Sequence, residues 1–173
     1  MTSQARPLRG FDCLTNAIAL RPVSPADLPI FLAHQNDPVA NHMAAFVARR
    51  PWNEISFSDY WRRVLVDDTI YVRTVLLDGE PVGNIMLFER CGRAEVCYRI
   101  AREYWGRGIA AIALAKFLQD LTRRPLYARA ARDNVASVRV LEKCGFEVIG
   151  YERVFANARG AEIDEVILML SEF

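Results

Sequence analysis

Histidine is scarce in this sequence, long apolar runs are missing, and the cysteines do not pair by spacing. Only His34 and His42 are present among 173 residues. Cys13, Cys91, Cys97 and Cys144 lie scattered, with no CxxC pair and no histidine cluster beside them. This argues against a zinc site and reads as free thiols in a reducing compartment. No stretch reaches the roughly 18 apolar residues of a membrane-crossing helix. The opening MTSQARPLRGFDCL lacks the apolar centre of a secretory signal. An excess of charge is absent too: 22 basic residues face 21 acidic ones, so no global field draws nucleic acid or an anionic membrane. The expectation is a cytoplasmic chain without metal, nucleic acid or membrane among its partners.

No repeat, low-complexity tract or linker divides what is there, and the length suits one domain able to bury its own core. Residues 1–13 read as a flexible N-terminal arm and residues 14–173 as the domain. Leu14 to Val23 suits a strand. Ser24 then caps a helix that has Pro25 at its first position and runs to about Asn36. Residues 37–55 read as irregular, and Ser56 as the cap of a helix over Phe57 to Leu65. A meander follows. Ile70–Leu77 ends at Asp78-Gly79, a strong hairpin signal; Pro81–Cys91 ends at Gly92; Ala94–Ala101 is the third strand. Ile109, Ile112, Phe117 and Leu121 recur at helical spacing. Leu126–Ala130 is a short strand, Asn134–Cys144 a compact helix, and 147–154 with 164–170 a closing hairpin. The fold class is therefore α/β with a mixed sheet.

The segment richest in chemistry runs from Glu95 to Ala111. A strand enters a turn carrying Trp105, Gly106, Arg107 and Gly108, and a helix starts at once. The first turn of a helix presents N–H groups without partners, and its dipole adds positive potential. Gly106 and Gly108 let the backbone come close to a bulky anion, and Arg107 brings a formal charge. The result reads as a pyrophosphate cradle over Trp105, Gly106, Arg107, Gly108, Ile109 and Ala110, beside the plainer reading of a tight turn. Gly106, Gly108 and Ala111 also fit the dinucleotide pattern G-x-G-x-x-A. That pattern arrives here behind an antiparallel meander with one strand–helix unit left, too little for a Rossmann half.

A second cluster lies one strand downstream. Asn134 caps a helix with Ser137 in its first turn, Leu141-Glu142-Lys143 carries it on, and Gly145-Phe146 ends it. The glycine turn followed by Asn-x-x-Ser and Leu-Glu-Lys-x-Gly-Phe resembles the GNAT superfamily of acyl-CoA-dependent N-acetyltransferases. Tyr104-Trp105-Gly106-Arg107-Gly108 with Asn134 and Ser137 is similar to its branch of ribosomal-protein N-terminal acetyltransferases. The resemblance spans roughly residues 14–171.

It implies a parallel strand pair, Ala94–Ala101 and Leu126–Ala130, splayed at one end. Pantetheine of acetyl-CoA lies in that gap against the backbone of Tyr98, Arg99 and Ile100, with the diphosphate on the glycine turn. A small-molecule or peptide amine arrives from the opposite side. Glu95 is the implied general base, with a surface glutamate or proton loss through water as the plainer readings. Ser137 is the implied proton donor to the leaving thiolate, and Asn134 orients the pantetheine amide. The tyrosine acid that many relatives keep in or after this helix is missing. Cys97 as an acyl carrier lacks a base partner and reads as a small apolar residue. His34 and His42 read as packing residues. Trp52, Phe57, Tyr60 and Trp61 read equally as core or as a platform at the acceptor entrance. The competing class is a catalytically inactive acyl-CoA-binding sensor or partner module. Monomer and homodimer both stay open, the latter through the edge strands of the final hairpin.

Overall fold

A computed structural model describes residues 9–171. Its elements run α1 (Arg9–Ala17), β1 (Ile18–Arg21), α2 (Leu28–Gln35), α3 (Pro38–Ala44), α4 (Glu54–Val66), β2 (Tyr71–Leu77), β3 (Glu80–Arg90), β4 (Arg93–Ile100), α5 (Ile109–Gln119), β5 (Leu126–Ala131), α6 (Val135–Lys143), β6 (Glu147–Ala156) and β7 (Ala161–Leu170). The strands form one seven-stranded mixed sheet in the order β1-β2-β3-β4-β5-β7-β6.

Turn chemistry sets the register of the meander. Leu77 pairs with Glu80, and Arg90 with Arg93, leaving two residues in each loop. Asp78-Gly79 and Cys91-Gly92 all take positive φ, the pairing that matches the twist of the flanking strands. β3 and β4 then pair without a register shift from Gly83↔Ile100 to Arg90↔Arg93.

Each face of the sheet buries its own core. On one side Ala94, Val96 and Ile100 of β4 and Leu126, Ala128 and Ala130 of β5 pack with Ile109, Ala113, Leu114 and Phe117 of α5 and Leu141 of α6. On the other, Val72 and Met86 pack under Phe31 of α2 and Phe57, Trp61 and Val64 of α4. The aromatic group read ambiguously in the sequence is thus mostly core: Phe57 and Trp61 are fully buried. Period-two alternation sends Glu95, Cys97 and Arg99 to this second face.

Several local expectations change. A helix, α1, covers Arg9–Ala17, where an arm and the start of a strand were expected; residues 1–8 lie outside the described residues. The strand shrinks to Ile18–Arg21. Residues 37–55 contain α3, whose first turn is capped by Asp37 accepting from the Ala40 N–H at 2.9 Å, with Pro38 at its start. The cap of α4 is Asn53, not Ser56; Asn53 accepts from the Ser56 N–H and Ser56 Oγ accepts in return, a reciprocal capping box.

Candidate active site

The site is a wedge between β4 and β5. These parallel strands pair at one position only, Glu95↔Tyr127, while β5 stays with β7 from Leu126↔Leu170 to Ala131↔Glu165. No bulge in β4 produces the opening; the register shifts lie at Val75/Leu76 and Val148/Gly150. Because the Ala101 N–H donates to Val82 C=O, the odd residues of β4 bond β3 and the even ones face β5. Tyr98 therefore turns its N–H and C=O into the wedge, where β5 no longer pairs. Arg99, expected to line the wedge with its backbone, faces β3 instead. The Ile100 carbonyl is turned the expected way but accepts from the Trp105 indole N–H at 2.8 Å.

At the wide end lies the glycine turn. Gly106 and Gly108 have φ of 73° and 81°, left-handed values that side chains rarely adopt. A Cβ on Gly106 would meet nothing within 4 Å, so its outer side is open. Among the described residues, the N–H groups of Gly106 to Ala111 have no acceptor. They converge at the start of α5, where the helix dipole also favours an anion. The Arg107 guanidinium sits 5.6 Å over the Tyr104 ring. Trp105 fixes the turn through its bond to Ile100, which explains how tryptophan serves at that position.

Deeper in the wedge, α6 delivers Ser137. Its Oγ lies 2.9 Å from the Tyr98 hydroxyl, which also reaches the Ser137 carbonyl at 3.2 Å. Burial pushes the Tyr98 phenol up to about 12, against the opposing pull of the Ser137 bond. A phenol thus stands beside Ser137, delivered by β4 from 39 residues away in the chain. Asn134 is more committed than expected: Oδ1 accepts from the Ser137 N–H at 3.2 Å, and Nδ2 donates to the Met43 carbonyl at 3.1 Å.

The opposite face holds the charged groups. Glu95 is 4% exposed; Oε1 accepts from Arg129 Nε at 3.0 Å, and Oε2 stands 3.8 Å from Arg90. Arg129 also donates to Glu152 at 2.8 Å and to Glu165 at 3.0 Å. Burial works against its charge, but those carboxylates hold its pKa above the ordinary arginine range. Glu95 is therefore one wall of an ion network, neither a free carboxylate nor a surface one. Cys97 is solvent-accessible at the floor of a recess whose walls push its thiol up to about 11, so it stays protonated at neutral pH. Burial likewise raises the Tyr60 phenol on this face.

The segment above this recess is clasped to the β6–β7 turn. Asn157 Nδ2 donates to the Val47 carbonyl, Ala158 N–H to the Ala45 carbonyl, and Arg159 Nε to the His42 carbonyl. With Asn134 on Met43, four donors hold one short stretch of main chain.

Residues 18–147 match the acetyltransferase (GNAT) domain family. The chain belongs to the GNAT acetyltransferases. It is 29% identical over 92 residues to an uncharacterized N-acetyltransferase, p20, of Bacillus licheniformis; that match spans 51% of this chain and 52% of the relative, so about half of each. Solved structures share the GNAT fold over almost the whole chain. One is RimL, a ribosomal L7/L12 alpha-N-protein acetyltransferase in complex with coenzyme A, with TM-score 0.80 and 14% identity over 91% of this chain and 96% of that one. Another is spermidine N-acetyltransferase of Vibrio cholerae in complex with CoA and spermine, with TM-score 0.74 and 20% identity over 90% and 96%. At such identities the likeness carries the GNAT fold and leaves the acceptor to this chain's own residues.

Proposed function

We propose that this chain transfers an acetyl group from acetyl-CoA to a primary amine by direct attack in a ternary complex. The observation that carries the reading is the row of N–H groups from Gly106 to Ala111, without an acceptor among the described residues, at the mouth of the wedge between β4 and β5. Diphosphate on those donors lets pantetheine run into the wedge, where the Tyr98 backbone groups supply the pairing that β5 withdraws. The amine comes from the face of Glu95, Cys97 and Arg99. Its lone pair forms the C–N bond as the C–S bond breaks, and the thiolate takes up a proton. Holding the two reactants together supplies up to about 7–11 kcal/mol of the barrier.

Ser137 is proposed to give that proton, recharged by the Tyr98 phenol behind it. The raised Tyr98 pKa supports this, since the pair then always holds a proton at neutral pH. Glu95 is proposed to receive the ammonium proton through water, because its Oε2 is only loosely held by Arg90. Ser137→Ala and Tyr98→Phe are each expected to lower kcat about 10- to 100-fold with KM for acetyl-CoA little changed. Glu95→Gln is expected to lower kcat about 10- to 100-fold as well. Thiol release measured from pH 6 to 9 checks all three. A Glu95→Gln profile identical to the parent returns the base role to water alone, and full-rate Ser137→Ala removes the relay.

The whole reading is tested by calorimetric titration with acetyl-CoA, with NADPH as the control. Micromolar binding of acetyl-CoA alone supports it. Folded, ligand-free protein that does not bind acetyl-CoA returns the glycine turn to plain structure.

A further inference from the structure

Two partly buried arginines face the acceptor side of the sheet, and the fold treats them differently. Arg129 is wrapped by Glu95, Glu152 and Glu165. Arg99, two residues past Cys97 and therefore about 7 Å further along β4, has no carboxylate within ion-pair distance among the described residues. Its Nη1 donates to the His34 carbonyl at 3.3 Å and to Asn41 Oδ1 at 3.0 Å. Its Nε and Nη2 have no protein acceptor among those residues. A guanidinium partly withdrawn from water without a counter-charge loses some hydration, and its open donors suit an incoming anion.

The His34 side chain adds a second unspent group. Its Nδ1 is buried without a partner among the described residues, which leaves a polar atom unsatisfied at a cost of about 1–3 kcal/mol. Burial holds the ring below its usual pKa, with Arg99 adding to that and Glu103 and Asp37 opposing it, so the imidazole is neutral at neutral pH. Asp37 is spent on Arg102 at 3.0 Å and on the cap of α3. The recess thus offers a lone cation and a neutral hydrogen-bonding ring beside the accessible Cys97.

We propose that Arg99, with the His34 ring beside it, is a subsite for an oxyanion carried by the acceptor, so that the amine acetylated is a small molecule bearing a carboxylate or phosphate. The inference rests on the acetyl-transfer reading and narrows its substrate class. The diphosphate of acetyl-CoA belongs to the glycine turn and does not compete for Arg99, which projects from the other face. A polyamine, cationic along its length, would meet a like charge here.

The test uses product mimics, which bind without turnover. The full chain, free and saturated with CoA, is titrated by calorimetry with N-acetylglycine, N-acetyl-2-aminoethylphosphonate, N-acetylethanolamine and N-acetylputrescine. At least one anionic mimic is expected to bind tenfold or more tightly than the neutral one, and the cationic one most weakly. The stronger anion identifies carboxylate or phosphate. Arg99→Gln should erase the preference and Arg99→Lys keep part of it, both with CoA affinity within twofold of the parent and an unchanged circular dichroism spectrum. Equal binding of all four mimics, preference for the neutral or cationic one, or an anion preference that survives Arg99→Gln overturns the subsite. CoA that fails to bind overturns the transferase reading instead, and the titrations of the free chain still read the anion preference.

Discussion

Replacing Arg129 by Leu is expected to destabilise the fold by about 3–5 kcal/mol, the usual cost of breaking a buried ion pair by removing one partner. Glu95 and Glu165 are 4% and 3% exposed, and the substitution leaves both carboxylates without their shared guanidinium. Glu152, half exposed, adds little because water screens it. The position matters as much as the charge. Arg129 rises from β5 two residues past Tyr127, whose pairing with Glu95 is the only pairing of β5 with β4. The Arg129–Glu95 bridge therefore staples the closed end of the wedge, and its loss should loosen the acceptor recess along with the fold. Urea denaturation followed by tryptophan fluorescence measures the change. A triple variant with Arg129→Leu, Glu95→Gln and Glu165→Gln should recover much of it, since the uncompensated charges are then gone. A loss below about 1 kcal/mol would mean that water screens the whole network like a surface pair.

Gly108→Val is expected to weaken acetyl-CoA binding about 100- to 10,000-fold, because two charge-assisted hydrogen bonds at about 1.5–3 kcal/mol each are lost. A Cβ at this position would meet only Leu14 Cδ2 at 3.9 Å, so packing tolerates it. The backbone does not: φ is 81°, and a β-branched residue there forces the turn into another conformation. The N–H groups that open α5 then point elsewhere. Gly92→Val is the control. Its φ is 74° and its surroundings are open, but it sits in a hairpin remote from the turn. Both variants should lose a similar amount of stability, and only Gly108→Val should lose acetyl-CoA. Affinities within threefold of the parent for Gly108→Val would show that the cradle does not use this backbone geometry.

What could be read beforehand was local. Asp78-Gly79 and Cys91-Gly92 fix the meander by conformational preference alone, and the glycine turn and the Asn134 cap carry their geometry within a few residues. Helix α3 was also written locally, in Asp37-Pro38, but the prolines nearby and the mixed apolar pattern of residues 37–55 hid it. The rest depends on partners far along the chain. Nothing adjacent to Glu95 announces Arg129, 34 residues away, so the carboxylate read as free. Tyr98 read as a backbone contact because its hydroxyl meets Ser137 only after the sheet and α6 have assembled. Arg99 read the same way, since strand alternation decides its side only once the pairing with β3 is known.

The short stretch over the acceptor recess is held through the carbonyls of His42, Met43, Ala45 and Val47, while the side chains of Ala45 and Phe46 pack with Ala131, Ala156 and Ile163. Any residue offers the same carbonyl, so at His42, Met43 and Val47, outside that packing, the ceiling keeps its place whatever side chain it carries. Evolution can thus retune which amine is admitted by single substitutions there, without first re-engineering the scaffold. A directed-evolution library aimed at new acceptors would begin on this ceiling.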